Sequence, residues 1–131
     1  MSTAEALNNS MLPTIVYLPE INKGEVYVGG TISPDGRITH TILMSEERLV
    51  KNWDAGMTFA QQQGGDLPNR IEQAMLWAHH RKFFQERAYW SNEQYAHDSD
   101  YAWYQSFING YQGNWHKADE TMARAVRRVK D

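Results

Sequence analysis

Residues 64–90 constrain the fold more than any other stretch, because one helix must end there and another must begin. Apolar residues recur at the spacing of one helix face over residues 53–63, and Asn52 has the side chain of an N-cap. Gly64 and Gly65 follow this pattern and supply the positive φ at which many helices end. The sequence therefore predicts a first helix over residues 53–63.

A second helix is predicted to begin at Asn69. Pro68 cannot continue a helix that starts before it, and Asn69 followed three residues later by Glu72 has the chemistry of a capping box. The apolar residues that follow recur at intervals of three and four, which predicts one face turned towards a core. That predicted core face comprises Ile71, Ala74, Met75, Ala78 and, on an adjoining strip, Leu76 and Phe83. The opposite side takes Arg70, Gln73, Arg81, Lys82 and Gln85.

Charge and composition exclude several classes of protein. Acidic and basic residues are mixed along the 131 residues, with a formal net charge of −3, so long-range attraction to nucleic acid is not expected. The chain has no cysteine, which excludes disulfides, Cys-ligated metals and thiol catalysis. No window approaches a membrane span, and residues 1–10 lack the basic and apolar regions of a signal peptide. We therefore expect a single soluble domain over residues 1–131, with no membrane partner and no export by a standard signal.

The N-terminal third of the chain predicts a loose end followed by strands. Residues 1–11 are polar and small, so they are expected to form a loose segment. A β-branched run between two prolines predicts a short strand over residues 14–18. Residues 25–32 and 37–43 alternate on either side of a Ser-Pro-Asp-Gly turn, which predicts a β-hairpin. A charged connection over residues 45–50 then leads to the first helix.

The C-terminal half contains further short strand patterns. Residues 88–91 predict a strand, residues 92–100 a polar loop, and residues 101–107 another strand. The Asn-Gly dipeptide at residues 109–110 predicts a hairpin that returns over residues 111–116.

Residues 121–129 fit a helix or a strand by periodicity, and the pattern leaves both open. Four basic side chains lie in or beside this segment: Arg124, Arg127, Arg128 and Lys130. In strand geometry they divide between the two faces, so a continuous phosphate-binding stripe is only partly formed. We expect these arginines instead to pair with acids such as Glu72 and Asp66, or to extend across the sheet.

Several separate pieces of the sequence resemble one family. They are Gly65-Asp66-Leu67-Pro68-Asn69-Arg70-Ile71-Glu72, Tyr89-Trp90-Ser91, Ala102-Trp103 followed by Asn109-Gly110, and Ala125-Val126-Arg127-Arg128-Val129. Together they resemble a widespread bacterial and bacteriophage domain family of unknown function with a C-type-lectin-like fold, distantly similar to the sulfatase-modifying, formylglycine-generating domain. Asp66 and Asn92 depart from the pattern, where the family usually carries Arg and a second Ser or Thr.

The resemblance implies an α+β, C-type-lectin-like fold in which two helices flank a twisted antiparallel sheet. Residues 52–129 would form the lectin-like core, closed by residues 121–129 as a strand that pairs with the N-terminal one. Residues 14–43, with the N-terminal β-hairpin, would extend this sheet or elaborate its surface. The resemblance also implies a phage or prophage protein, located in the host cytoplasm or on the virion. Formylglycine-generating catalysis is excluded because it uses a cysteine pair.

The sequence offers few groups for metal binding or catalysis. His79 and His80 are adjacent and so diverge by about 100° on a helix, which disfavours a histidine metal site. Asp98 and Asp100, with Asn92 upstream, have the oxygen ligands that calcium prefers, but a solvated acidic loop is the favoured interpretation. No tuned acid or base, phosphate-binding loop or nucleophile elbow is recognisable. We therefore predict no metal, no cofactor and no enzymatic activity.

Aromatic side chains are the most informative feature of the second half. Successive strand residues point to opposite faces, so Trp103 and Tyr104 cannot both be buried on one face of a sheet. We expect a core formed by Trp90, Trp103 and Phe107. Tyr and Trp are enriched at recognition surfaces because they bury large areas at little entropic cost, and for the remaining aromatics binding and packing are equally favoured. The predicted binding residues are Tyr95, Tyr104, Tyr111, Trp115, Asn92, Asp98 and Asp100.

The leading functional hypothesis is a non-catalytic recognition module. It would bind a protein or a surface glycan of the host or the virion through the loops and hairpin of residues 92–117. The alternative is a structural subunit that acts by homo-oligomerisation through its exposed aromatics. A metal-assisted hydrolase built around His97, Asp98 and Asp100 is the third hypothesis.

Overall fold

The computed structural model describes residues 17–131. In chain order its elements are β1 Val26–Ile32, β2 Ile38–Val50, α1 Trp53–Gln62, α2 Arg70–His80, a 3-10 turn Arg81–Phe83, β3 Ala88–Gln94, β4 Tyr101–Ser106, β5 Gln112–His116 and β6 Thr121–Lys130. All six strands belong to one sheet, and the two helices pack on it, so the predicted α+β class is confirmed. In the described part of the chain, no helix is long and apolar enough to cross a membrane.

Strand β6 occupies the middle of the sheet, whose order is β1-β2-β6-β3-β4-β5. It runs antiparallel to β2, from Thr39 opposite Lys130 to Val50 opposite Thr121. On its other side it pairs in parallel with β3 at a single position. The prediction of an antiparallel sheet is therefore wrong, and the sheet is mixed. Because β2 and β3 run in opposite directions, a strand between them can be antiparallel to only one of them.

Alternate residues of β6 face opposite sides of the sheet, and each side carries one helix. Ala123 lies in a core with Phe59 of α1. Met122 and Val126 lie in a second core with Leu76 of α2. The two helices therefore flank the sheet, one on each face, and both cores depend on β6.

Strand β6 also settles the ambiguity over residues 121–129, which form a strand rather than a helix. Its antiparallel partner is β2, the second strand of the N-terminal hairpin. The strand predicted over residues 14–18 lies partly outside the described residues, and Tyr17 and Leu18 are exposed and form no strand. The loose segment predicted over residues 1–11 lies wholly outside them.

The predicted β-hairpin forms from β1 and β2, with Gly36 at a φ of 84° in its turn. β2 continues to Val50, so the charged connection predicted over residues 45–50 is wrong. Beyond an irregularity between Leu43 and Glu47 the backbone pairs again with β6. The backbone of β6 can hydrogen-bond to β2 even where the side chains of β2 face water. The charged side chains of residues 45–50 therefore misled the prediction, because backbone pairing does not depend on them.

Both helices begin close to the predicted residues, and α1 ends close to the predicted glycines. The side chain of Asn52 accepts a hydrogen bond from the backbone N of Ala55 at 2.8 Å, and Gly64 follows α1 with a φ of 85°. Helix α2 starts with the predicted capping box, in which the side chains of Asn69 and Glu72 each accept from the other's backbone N at 2.8 Å. Local sequence therefore determines these boundaries.

The buried side of α2 differs from the prediction. Leu76 is buried as predicted, but its buried neighbours are Glu72 and Gln73. The Gln73 side chain donates to the carbonyl oxygen of Tyr89 at 3.0 Å, which satisfies an amide nitrogen inside the core. The predicted core face is wrong for four residues that the structure leaves exposed: Ile71, Ala74, Ala78 and Phe83.

The segment that links α1 to α2 lies between β6 and β3. Asp66 exchanges both backbone hydrogen bonds with Val126 of β6, each at 2.8 Å, and the carbonyl of Pro68 accepts from Asn92 of β3 at 2.9 Å. At Gly65 an added Cβ would lie 2.3 Å from the Val126 oxygen, so only glycine permits this approach. Gly65, which was predicted only to end α1, therefore also allows the linking segment to lie between β6 and β3.

Arg128 of β6 ties the sheet to the start of α2. Its Nε and Nη2 donate to the two carboxylate oxygens of Glu72 at 2.9 and 2.7 Å, and its Nη1 donates to Asp66 at 2.8 Å. Glu72 is 3% exposed and also accepts from the Thr41 hydroxyl of β2 at 2.7 Å. The hydrogen bonds from Arg128 to Glu72, and then those to Asp66, raise the pKa of Arg128 above its usual value. The predicted pairing of a C-terminal arginine with Glu72 and Asp66 is confirmed.

The other two arginines of β6 are also held by structural contacts. Arg127 donates to both carboxylate oxygens of Glu25, at 2.9 and 2.8 Å. Arg124 donates to the carbonyl oxygens of Met44, at 3.0 Å, and of Phe83. The predicted basic cluster is thus dispersed among the carboxylates and carbonyls that hold the elements together.

Replacing Arg128 by Leu should lower the free energy of unfolding by about 3 kcal/mol, because Glu72 would remain buried without its cation. Urea denaturation followed by circular dichroism measures the change. Lys130→Leu is the matched control, since Lys130 is exposed on the same strand and should change stability by less than about 0.5 kcal/mol. Equal losses in the two variants would contradict the assigned role of Arg128.

The Glu25–Arg127 pair should contribute stability that is lost in acid. Hydrogen bonds from Arg127 lower the pKa of Glu25, although burial acts in the opposite direction. A lowered folded-state pKa stabilises the protein above the pKa of an unfolded Glu, about 4.3, and this contribution disappears as the pH falls through the folded value. Glu25→Gln should therefore cost about 1 kcal/mol near neutrality and almost nothing at strongly acidic pH. Urea titrations of both proteins across this range test the prediction, which a pH-independent difference would refute.

Candidate functional site

An open groove runs from the N-terminal end of α2 to the loop between β3 and β4. It consists of two adjoining pockets of about 580 and 460 Å³, which share Arg70 and Glu93. Ile71, Ala74 and Gln112 also line the first pocket, and Tyr95, His97 and Trp103 also line the second. We name this surface the Arg70 groove.

The Arg70 side chain lies at the centre of the groove, over the ring of Trp103. Its guanidinium carbon is 3.5 Å from the Trp103 ring centroid, a close cation–π contact. Its Nε donates to the side-chain oxygen of Gln112 at 3.1 Å, whereas neither terminal nitrogen donates to another described residue. The guanidinium is therefore held in place with hydrogen-bond donors left for a ligand.

A chain of amides orients Gln112. Its Nε2 donates to the carbonyl oxygen of Arg70 at 2.8 Å and to the side-chain oxygen of Gln105 at 3.0 Å. Gln105 is buried, and its own Nε2 donates to the carbonyl oxygen of Ser106 at 3.0 Å. Because each amide nitrogen has acceptors, the oxygen of Gln112 is turned towards Arg70.

Glu93 and Tyr95 supply the other polar groups of the groove. One carboxylate oxygen of Glu93 accepts from the backbone N of Arg70 at 2.7 Å, at the N-terminal end of α2. The Tyr95 ring lies edge-on to Trp103, with centroids 5.4 Å apart, and edge-on to His97 at 5.3 Å. The groove thus places a cationic donor and an anionic acceptor beside aromatic walls.

This arrangement suits a ligand that both donates and accepts hydrogen bonds. A peptide group or a side-chain amide offers one acceptor to the Arg70 guanidinium and one donor to the second oxygen of Glu93. The aliphatic side chains of Ile71 and Ala74 offer no hydrogen bonds, so they suit apolar groups of the same ligand. A groove that is open along its length admits an extended surface more readily than it encloses a small molecule.

The predicted aromatic binding residues divide between the two faces of the sheet. Tyr95 lies in the Arg70 groove, together with Trp103, which was expected in the core but is only half-buried. Tyr104 belongs to the core on the α1 side of the sheet, is 9% exposed and stacks on Trp115 with ring centroids 4.0 Å apart. Burial raises the pKa of Tyr104. Tyr111 is 62% exposed at the β4–β5 turn, with its ring centroid 6.5 Å from that of Tyr104. These aromatic side chains therefore do not form one surface.

The predicted polar residues have mainly structural contacts. The Asn92 side chain donates to Asp66 at 2.8 Å, so it belongs to the junction of β3 with the linking segment. Asp98 accepts from the backbone N of Asp100 at 3.0 Å and thereby holds the β3–β4 turn. Within residues 17–131 no three His, Asp or Glu side chains are grouped so as to hold a metal ion.

The central residues of the groove, Arg70 and Gln112, are absent from the predicted binding residues. Arg70 was assigned to the solvent-facing side of α2, and Gln112 to the returning strand of the hairpin. Forty-two positions separate them, so only the packing of α2 on the sheet brings them together. The signal available in the sequence was Arg70 directly after the helix cap, where its side chain projects from the first turn.

No protein-family model matches this chain, and no curated protein sequence matches it either.

Replacing Tyr104 by Ala should lower the free energy of unfolding by about 3 kcal/mol, because loss of the large aromatic ring would leave a cavity in the core beside Trp115. Tyr111→Ala, which removes an exposed ring of the same chemistry, should cost less than about 0.5 kcal/mol. Urea denaturation of both variants provides the measurement. If the two losses are equal, the assignment of Tyr104 to the core is incorrect.

Proposed function

We propose that this protein is a non-catalytic recognition module that binds a partner protein in the Arg70 groove. The observation that carries the proposal concerns the Arg70 guanidinium. Trp103 and Gln112 hold it in place, and its terminal nitrogens donate no hydrogen bond to any residue that the structure describes. A pre-oriented arginine against an aromatic ring is the kind of anchor that contributes most to binding at protein interfaces. Part of the groove, from Glu93 to Gln112, belongs to the region of residues 92–117 that the sequence favoured for binding, and α2 supplies the rest.

The proposal includes the C-type-lectin-like character of the fold and an origin in a phage or prophage. The motifs at residues 65–72, 89–91 and 125–129 support it by their resemblance to that family. The α+β sheet with one helix on each face is compatible with it. The partner would then be a protein of the host or of the virion, met in the host cytoplasm or on the virion itself. A surface glycan is the competing ligand, which the experiment below distinguishes.

Homo-oligomerisation is the second candidate function. It is favoured by exposed aromatic and apolar side chains outside α2, among which Tyr111 is 62% and Ile32 73% exposed. In a homo-oligomer these side chains would be buried against a second copy. Light scattering over a range of concentrations tests this function, since a strictly monomeric protein would rule it out.

Replacing Arg70 by Ala should weaken partner binding about 10- to 100-fold, because a charge-assisted hydrogen bond contributes about 1.5–3 kcal/mol. A photocrosslinking phenylalanine derivative at position 94, on the rim of the groove, captures the partner from bacterial lysate and from purified virions. The captured protein is then produced, and its affinity is measured by calorimetry.

Arg37→Ala is the matched control, since Arg37 is an exposed arginine at the tip of the β1–β2 hairpin. It should leave both capture and affinity unchanged. A partner that binds both variants equally would refute the groove as the binding site. Binding to immobilised glycans that Arg70→Ala abolishes would identify the ligand as a sugar instead.

A further inference from the structure

The outward side of α2 carries an apolar strip that the protein's own core does not cover. Ile71, Ala74 and Ala78 are exposed and follow one another at the i, i+3, i+7 spacing of a helix face. Ile108, from the β4–β5 turn, lies beside Trp77 at the C-terminal end of the helix and is also exposed. We name this surface, Ile71, Ala74, Ala78 and Ile108, the outer strip.

The helix cannot turn this strip inward. Glu72 and Gln73 are buried, and their side chains bind Arg128 and the Tyr89 carbonyl. Successive helix residues diverge by about 100°, so a rotation that buried Ile71 would break both of these contacts. The outer strip is therefore a permanent feature of the folded surface.

Cations outnumber carboxylates at the two ends of the outer strip. Arg70 at one end and Arg81 and Lys82 at the other line the adjoining pockets, together with the carboxylates Glu93 and Glu86. None of these three cations forms an ion pair within residues 17–131. This local excess contrasts with the net charge of −3 for the whole chain. It favours a partner whose contact surface carries acidic side chains.

We propose that the outer strip binds an amphipathic helix of the partner protein, with an apolar stripe flanked by Asp and Glu. Ile71 and Ala78 are seven residues apart, or about 10 Å along the helix, which matches two turns of an opposing helix. A second copy of this chain fits poorly, because isologous pairing of the strip would bring its unpaired cations together. This inference about the outer strip rests on the proposed function. It specifies the chemistry of the part of the partner that would lie next to the Arg70 groove.

A displayed library of helical peptides, randomised in sequence, tests the proposal with the full-length protein as bait. The Ala78→Gln/Ile108→Ser double variant is the counter-selection bait, because neither residue lines the Arg70 groove, and circular dichroism verifies that it is folded. The expected winners carry apolar residues at i, i+3 and i+7 with Asp or Glu on both flanks. Their affinity should fall at least tenfold for the double variant and for Arg81→Ser/Lys82→Ser.

Ile32→Ser provides the matched control, because Ile32 is 73% exposed on β1, away from α2, and its loss should not change peptide affinity. Winners without acidic residues, winners that bind the double variant equally well, or no enrichment at all would overturn the proposal. A dimer that the double variant dissociates would assign the strip to a second copy. If one of these results is obtained and the partner captured from position 94 still requires Arg70, the groove remains the recognition site. Only the helix-binding surface is then refuted.

Discussion

The ion pair between Arg128 and Glu72 joins α2 to the centre of the sheet. A buried carboxylate is costly unless its oxygens are paired and hydrogen-bonded. Glu72 meets this requirement by accepting from Arg128 of β6, from Thr41 of β2 and from the backbone N of Asn69. One side chain thereby fixes the start of α2 against two central strands. Asp66 extends the junction, because it binds the same guanidinium and also pairs with the β6 backbone.

This junction sets the rotation of α2 and hence the positions of both candidate binding surfaces. With Glu72 turned inward, Ile71 must face away from the sheet, and Arg70 lies towards β4, where it covers Trp103 at 3.5 Å. Neither surface contains Glu72 among the residues that line it. A substitution at the junction would therefore disturb binding through the orientation of the helix rather than through contact with a partner.

The errors in the sequence-based expectations have a common physical cause. Hydrophobic periodicity assigns apolar residues to the core and polar residues to water, but in α2 a glutamate and a glutamine are buried. Partners distant in sequence bind the glutamate carboxylate and the glutamine amide nitrogen. The same limit applies to the aromatics of β4. Alternation predicted that Trp103 and Tyr104 lie on opposite faces, but not that Tyr104 stacks on Trp115 in a core while Arg70 covers Trp103.

Three features could be read from the sequence because they depend on neighbouring residues: the capping box at Asn69, the glycine after α1 and the β1–β2 hairpin. The pairing of a C-terminal arginine with Glu72 and Asp66 was predicted from charge alone. The folded arrangement was needed to show that β6 lies at the centre of a mixed sheet, that α2 exposes its apolar stripe, and that Arg70 meets Gln112. Each of these depends on contacts between residues far apart in the chain, whose energies no local pattern records.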